Sequence, residues 1–365
     1  MAKEPIYFDA RYIRVDHHDG ISRFSAGLIA ELSHLNPVVA IICDKRQLAK
    51  LPAGIPHVYL NDPTSWSEPF AALKLNRHKP QVVYSPMQTI GSMGRKFKLV
   101  LTLHDLIYYR HPKPPPSLPL PVRIGWRLFH MAFWPQRWLL NQADSVVTVS
   151  ETTKALMVEN TLTKRRIDVV YNAAGNLDPD FESSLPASRP RGKQRLLYMG
   201  SFMDYKNVET LVAGMEFLPE YELHLLSRIS ETRRAELLAH KITSGGEVIF
   251  HDGVSETKYH QLLTGSVALV SASLDEGFGI PLVEAMARGI PVVVSDIPIF
   301  REIGGVAAEY FEATSAPDFA RAVDSLESPV KWLERSKLAF NQSRKFSWSQ
   351  SAVALLAALK STKNL

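Results

Sequence analysis

Two carboxylates eight residues apart, Glu276 and Glu284, frame the stretch Glu276-Gly-Phe-Gly-Ile-Pro-Leu-Val-Glu284, which continues as Ala-Met-Ala-Arg-Gly-Ile-Pro-Val-Val-Val-Ser295. Between the acids, Gly277 and Gly279 free the backbone, and Pro281 suits the first turn of a helix. A glycine-bearing loop that opens a helix presents backbone N–H groups to an anion such as phosphate. Glu276 on the loop and Glu284 within the helix can then accept hydrogen bonds from hydroxyl groups on either side of that phosphate. A sugar, a phosphate and a ribose in that order describe a nucleotide-sugar.

The elements that must hold these groups are legible around them. Val267–Ser271 and Ile290–Val294 are short apolar runs, the mark of buried strands, and Gly289 is placed to end the helix between them. The same alternation runs through the chain. Strands are predicted at 6–8, 37–43, 81–84, 99–103, 145–149 and 167–171, with helices at 21–32, 122–141 and 151–159. Residues 172–195, rich in Asn, Pro, Ser and Gly, break the pattern and read as a linker. Strands at 195–199, 222–226 and 247–251 then alternate with helices at 207–217, 231–240 and 256–263 before the glutamate motif. The expected fold is α/β: two doubly wound parallel-sheet, Rossmann-like domains, residues 1–180 and 181–345, followed by a C-terminal helix within 346–365. Ligands of such sheets bind beyond the carboxyl ends of the strands.

Three further places could carry chemistry. His104 ends the apolar run Leu101-Thr-Leu and could donate to a sugar hydroxyl, or be satisfied by a neighbouring loop. Gly200-Ser201 leaves a strand for a turn, and Lys206 opens the next helix, where it could neutralise a diphosphate or stand as a solvated charge. Gly20 precedes the first helix and could let a substrate approach the backbone, or simply make the turn. His17-His18-Asp19 invites a metal reading, but adjacent side chains point apart and no second ligand cluster accompanies them, so no metal is expected. The segment Arg123–Trp138 mixes arginines with tryptophans and phenylalanines. It could lie on an anionic membrane, but packing of its aromatics inside the domain, interrupted at Pro135, is the favoured expectation. Six prolines in 111–121 predict an extended loop there.

Composition narrows the classes. The chain has 365 residues, is 45% hydrophobic and carries a formal charge of +5. It contains no run of the roughly 18 apolar residues that a membrane span needs. Cys43 is the only cysteine, which excludes an internal disulfide and fits a reducing cytoplasm. The first five residues lack an apolar signal core, and no nucleic-acid module or long basic run is present.

Taken together these motifs resemble the retaining glycosyltransferases of the GT-B fold, family 4. The resemblance rests on the Gly20-Ile21 loop, the His104-Asp105 strand end, Asp144-Ser-Val-Val-Thr-Val-Ser150-Glu151, the Gly200…Lys206-Asn207 turn, the E-x7-E motif and Ser347-Trp348 before a final helix. It implies that Glu276 contacts the transferred sugar and Glu284 the ribose. Backbone amides around Phe278, Gly279 and Ile280, with Lys206, would bind the diphosphate. His104 would touch the sugar and support positive charge at its anomeric carbon, and Gly20 would lie against the diphosphate or the acceptor. The final helix would return to the N-terminal domain. The chain departs from the family where many members carry arginine after the glycine of the Gly200 turn: here it is Ser201. Tyr205 stands where a subgroup has another arginine, so diphosphate neutralisation should rest more on Lys206.

The resulting expectation is a cytoplasmic enzyme, in reach of the inner face of the membrane. It transfers a sugar, with a lean toward mannose, from a nucleotide-diphosphate donor to a glycan, glycolipid or small acceptor, with retention and without metal or cofactor. A nucleotide-sugar epimerase or hydrolase on the same scaffold, or a non-catalytic nucleotide-sugar-binding subunit, are the alternatives.

Overall fold

Runs such as Val-Val-Ala-Ile-Ile and Leu-Val-Leu-Thr-Leu have no polar alternation, so they can be stable only with both faces covered, as in a parallel sheet between helices. The computed structural model, which describes residues 3–15, 20–114, 119–175, 185–239 and 245–363, contains two such sheets. The chain divides into two units: residues 1–175 with 346–365, and residues 176–345.

The first unit holds seven parallel strands: β1 (Ile6–Asp9), β2 (Val38–Ile42), β3 (His57–Tyr59), β4 (Val82–Ser85), β5 (Lys98–Leu103), β6 (Ser145–Thr148) and β7 (Arg166–Val169). Their order is β3-β2-β1-β4-β5-β6-β7, so the winding reverses between β1 and β4. The second unit holds six: β8 (Gln194–Tyr198), β9 (Tyr221–Leu225), β10 (Glu247–Phe250), β11 (Ala268–Ser271), β12 (Val292–Ser295) and β13 (Glu309–Phe311). The order β10-β9-β8-β11-β12-β13 reverses between β8 and β11. At such a reversal the loops leaving two neighbouring strands diverge to opposite faces and open a crevice beyond their carboxyl ends.

Helix starts follow local chemistry. Ser150, Ser230, Ser255 and Ser315 each accept a hydrogen bond from the backbone N–H three residues on, which satisfies one of the otherwise unpaired donors of a first turn. Other boundaries differ from expectation. The single helix expected over 122–141 is two, Leu120–His130 and Trp134–Asn141, because Pro135 belongs in a first turn and starts the second. The helix expected from Asn207 begins at Val208, since Asn207 sits in the left-handed region at φ 49°. Strands β3 and β13 went unforeseen, each being three residues long at a sheet edge.

The helix Trp348–Lys363 packs on Gly20–Leu35 within the first unit. Gly27 allows this approach, because a Cβ there would lie 2.4 Å from the Trp348 ring. Ser351 donates to the Tyr171 carbonyl at 2.7 Å, and Ser145 and Thr362 hydroxyls meet at 2.6 Å. The proline-rich 111–121 segment is described only in part, 115–118 lying outside the described residues. His17, His18 and Asp19 lie outside them too. The aromatics of Arg123–Trp138 divide: Trp126, Phe129 and Phe133 are half-buried, with Phe133 against the core of the first unit, while Trp134 and Trp138 are exposed, and no residue of Leu120–His130 is fully buried.

Gly27→Ala should destabilise the first unit even though alanine favours helices, because overpacking costs about 1–3 kcal/mol. Denaturant unfolding should give a lowered midpoint with an unchanged slope. A neutral or raised midpoint would contradict the close contact.

Candidate functional site

Both loops at the β8/β11 reversal carry residues singled out by the sequence. After β8 the chain turns through Gly200 and Ser201 to Lys206; after β11 it runs through Ser273 and Glu276 into the helix Ile280–Met286. The turn is bent back by Tyr198, whose hydroxyl donates to the Ser201 carbonyl at 2.5 Å. A Cβ on Gly200 would come within 2.7 Å of that hydroxyl. Burial, with the negative charge of Glu276 adding to it, pushes the Tyr198 phenol well above its ordinary pKa, so it stays a donor. Ser201 itself is exposed.

Lys206 and Glu276 meet in an ion pair with side chains 15% and 12% exposed. The same Glu276 oxygen accepts from the Ser273 hydroxyl at 2.8 Å, and the Lys206 ammonium stands 5.3 Å from the Tyr205 ring centroid. The loops are tied by backbone as well. Leu274 N–H donates to the Tyr205 carbonyl at 2.7 Å, and the Asn207 amide donates to the carbonyls of Ala272 and Ala313 at 3.2 and 2.6 Å. The left-handed backbone of Asn207 directs its side chain into that gap. From the other side Arg233 donates to the Phe202 carbonyl at 3.1 Å while it pairs with Glu209 and Glu236.

Gly279 is the cap of the Ile280–Met286 helix and has φ 95°, a conformation L side chains rarely adopt. A Cβ there would also crowd Phe300 at 3.2 Å. Gly277 and Phe278 are buried, and Gly279 and Ile280 partly so. Glu284 is 2% exposed, and its carboxylate accepts from the Tyr259 hydroxyl at 2.9 Å. The structure thus brings Lys206, Glu276 and the Gly277–Ile280 loop together, with Glu284 on the following helix. Sequence reasoning missed Ser273, Tyr259 and Arg233, none of which has a motif of its own, and it read Asn207 only as part of the Lys206-Asn207 turn, not as the tie between the two loops.

In the first unit His104 follows β5. Its Nε2 lies 2.7 Å from the Pro86 carbonyl, and its ring meets Phe24 edge-on at 5.1 Å, with Phe24 in turn 6.2 Å from Trp348. A carbonyl can only accept, so Nε2 carries the proton, and in the neutral ring Nδ1 is an acceptor. The contact with Pro86 matches the alternative the sequence left open, a histidine satisfied by a neighbouring loop. Gly20 is the exposed first residue of the Gly20–Leu35 helix. Among the described residues no three His, Cys, Asp or Glu side chains converge as a metal site.

Residues 180–338 match the family model "Glycosyl transferases group 1", and residues 18–174 match "Glycosyltransferase Family 4". The O-antigen chain mannosyltransferase RfbU of Salmonella typhimurium is 26% identical over 338 residues, covering 84% of this chain and 87% of that protein. The serotype-specific mannosyltransferase WbdA of Escherichia coli is 28% identical over 246 residues, 60% of this chain; the match spans 29% of WbdA, which is a much longer protein. HepE of Anabaena, whose structure contains UDP and glucose, superposes with a TM-score of 0.72 at 16% identity, covering 98% of this chain and 100% of that one. With both family models matched in succession and two Rossmann-like sheets in place, the chain belongs to family 4 of the glycosyltransferases, enzymes of the GT-B fold.

Proposed function

We propose that this glycosyltransferase moves mannose from a nucleoside-diphosphate donor to a hydroxyl of a growing surface glycan or its lipid-linked precursor, with retention and without a metal. The observation that carries the reading is the Lys206–Glu276 pair at the β8/β11 reversal, beside a loop whose Gly279 opens a helix. Mannose and an O-antigen-type acceptor are supported by what RfbU and WbdA are named for. A nucleotide-sugar donor is supported by the UDP and glucose held by HepE.

A diphosphate entering beside Lys206 offers the ammonium two charged oxygens in place of one carboxylate. Glu276 is then released to accept from the sugar hydroxyls, with Ser273 keeping it in position. Glu284, oriented by Tyr259, takes the ribose hydroxyls. The bond from the anomeric carbon to the phosphate oxygen breaks, and the bond to the acceptor oxygen forms on the same face. The acceptor proton passes to the departing phosphate oxygen. Charge grows on the diphosphate as the bond breaks, so Lys206 acts more strongly in the transition state than in the ground state. Backbone amides of Phe278, Gly279 and Ile280 add donors to the same phosphate. We assign acceptor recognition, and the sugar contact of His104, to the first unit.

Incubation with a panel of nucleoside-diphosphate sugars and a mannose-terminated acceptor, in the presence of EDTA, should yield product from a mannosyl donor with an α-linkage by NMR. An inverted linkage, or activity that returns only with Mg²⁺ or Mn²⁺, would contradict the reading.

Glu284→Ala should weaken binding of the bare nucleoside diphosphate roughly 10- to 150-fold, the loss of a hydrogen bond to a charged group. Glu276→Ala should spare the nucleotide and abolish most transfer, since its partner is the sugar. Titration calorimetry separates the two. Tyr259→Phe keeps the carboxylate and removes only its orienting hydroxyl, so its nucleotide affinity should lie between those of parent and Glu284→Ala. Equal loss of nucleotide affinity in the two glutamate variants would contradict the assignment.

A further inference from the structure

We infer that the helix pair Leu120–His130 and Trp134–Asn141 docks this protein on the surface of an anionic lipid bilayer. The inference goes beyond sugar transfer and stands on residues of the first unit alone, whether or not the acceptor is lipid-linked.

The pair has one face that the fold uses and one that it does not. Trp126 meets Tyr108 edge-on at 4.8 Å, His130 lies 4.1 Å from Trp126, and Phe133 lies 4.4 Å from Tyr109. These aromatics anchor the pair to the domain. On the exposed side stand Leu120, Ile124, Leu128 and Met131, at spacings of four, four and three that place them on one helical stripe. On the second helix Trp134 and Trp138 stand four residues apart, and all six are 56–74% exposed. A helix that turns its aliphatic stripe to water has the sense opposite to one folded only for its own core. Large apolar side chains exposed in such number on one short segment mark an interaction site.

Charge names the partner. From residue 106 to residue 143 there is no aspartate or glutamate, while Arg110, Lys113, Arg123, Arg127 and Arg137 all fall there. Two copies of this chain meeting through that face would bring like charges together, whereas anionic headgroups complement them. Arg137 is held in place by the carbonyls of Asn160 and Thr161 at 2.8 and 3.2 Å, and shares a hollow with Trp138 and Lys164. Tryptophan and arginine side by side suit the headgroup boundary, where the ring is half immersed and the guanidinium meets phosphate. Among the described residues no helix is long and apolar enough to cross a membrane, so the contact is with the surface.

Sedimentation of the full chain with vesicles of phosphatidylcholine alone, or mixed with phosphatidylglycerol, tests this at low and high salt. Binding should favour the anionic vesicles at least about tenfold and weaken as salt rises. Ile124→Asp/Leu128→Asp should lose about tenfold or more of that binding through lost apolar burial, with an unchanged melting midpoint. Arg127→Glu should cost about fivefold or more. Both variants should keep transfer to a water-soluble acceptor. No bound protein on anionic vesicles at low salt, or a double variant that sediments like the parent, would overturn the inference. So would vesicle-free self-association that the double variant abolishes, which would assign the stripe to a second copy.

Discussion

The Lys206–Glu276 ion pair is the contact on which the account of the second unit depends. Its two side chains come from loops that leave neighbouring strands, β8 and β11, and both are largely shielded from water. Two charges brought out of water cost several kcal/mol each unless each is compensated by the other and by further hydrogen bonds. Ser273 and the Tyr205 ring supply that compensation here. Within the pair each charge satisfies the other. A pair of this kind is poised for exchange, because a diphosphate can take the lysine and sugar hydroxyls can take the glutamate without leaving either group unpaired.

Everything around the pair keeps the two loops in register. The winding reversal separates them, Asn207 ties one loop to carbonyls of Ala272 and Ala313, and Leu274 N–H ties back to Tyr205. Gly279 then turns the chain into the helix through a conformation that a side chain would strain. Such over-determined positioning is what a site needs if its electrostatics are to act without reorganisation.

How much of this the sequence discloses depends on range. Uninterrupted apolar runs reveal strands buried on both faces, serine followed by glutamate reveals helix starts, and Glu276 and Glu284 stand out by spacing. Partners set by strand order do not. Tyr259 is 25 positions from Glu284, and Arg233 reaches Phe202 from the helix after β9. Neither pairing follows from local pattern, because it exists only once β8, β9 and β11 are neighbours. The edge strands β3 and β13 are too short for a periodic signal. The mixture of arginines and aromatics in Arg123–Trp138 left its direction open, since a stripe aimed at a core and one aimed at water read alike in sequence. Pro135 marked the interruption, and the structure turns it into a second helix start.

The central claim, that Lys206 and Glu276 form the donor site rather than a structural clasp, is tested most directly by ligand-induced thermal shift of parent and Lys206→Ala. With a mannosyl nucleoside diphosphate at a hundred times its Kd, the parent midpoint should rise by roughly 5 °C or more. The same concentration should move the Lys206→Ala midpoint little, since the diphosphate has lost its fixed cation. An equal rise in both proteins would contradict the claim and leave the pair as a clasp between two loops.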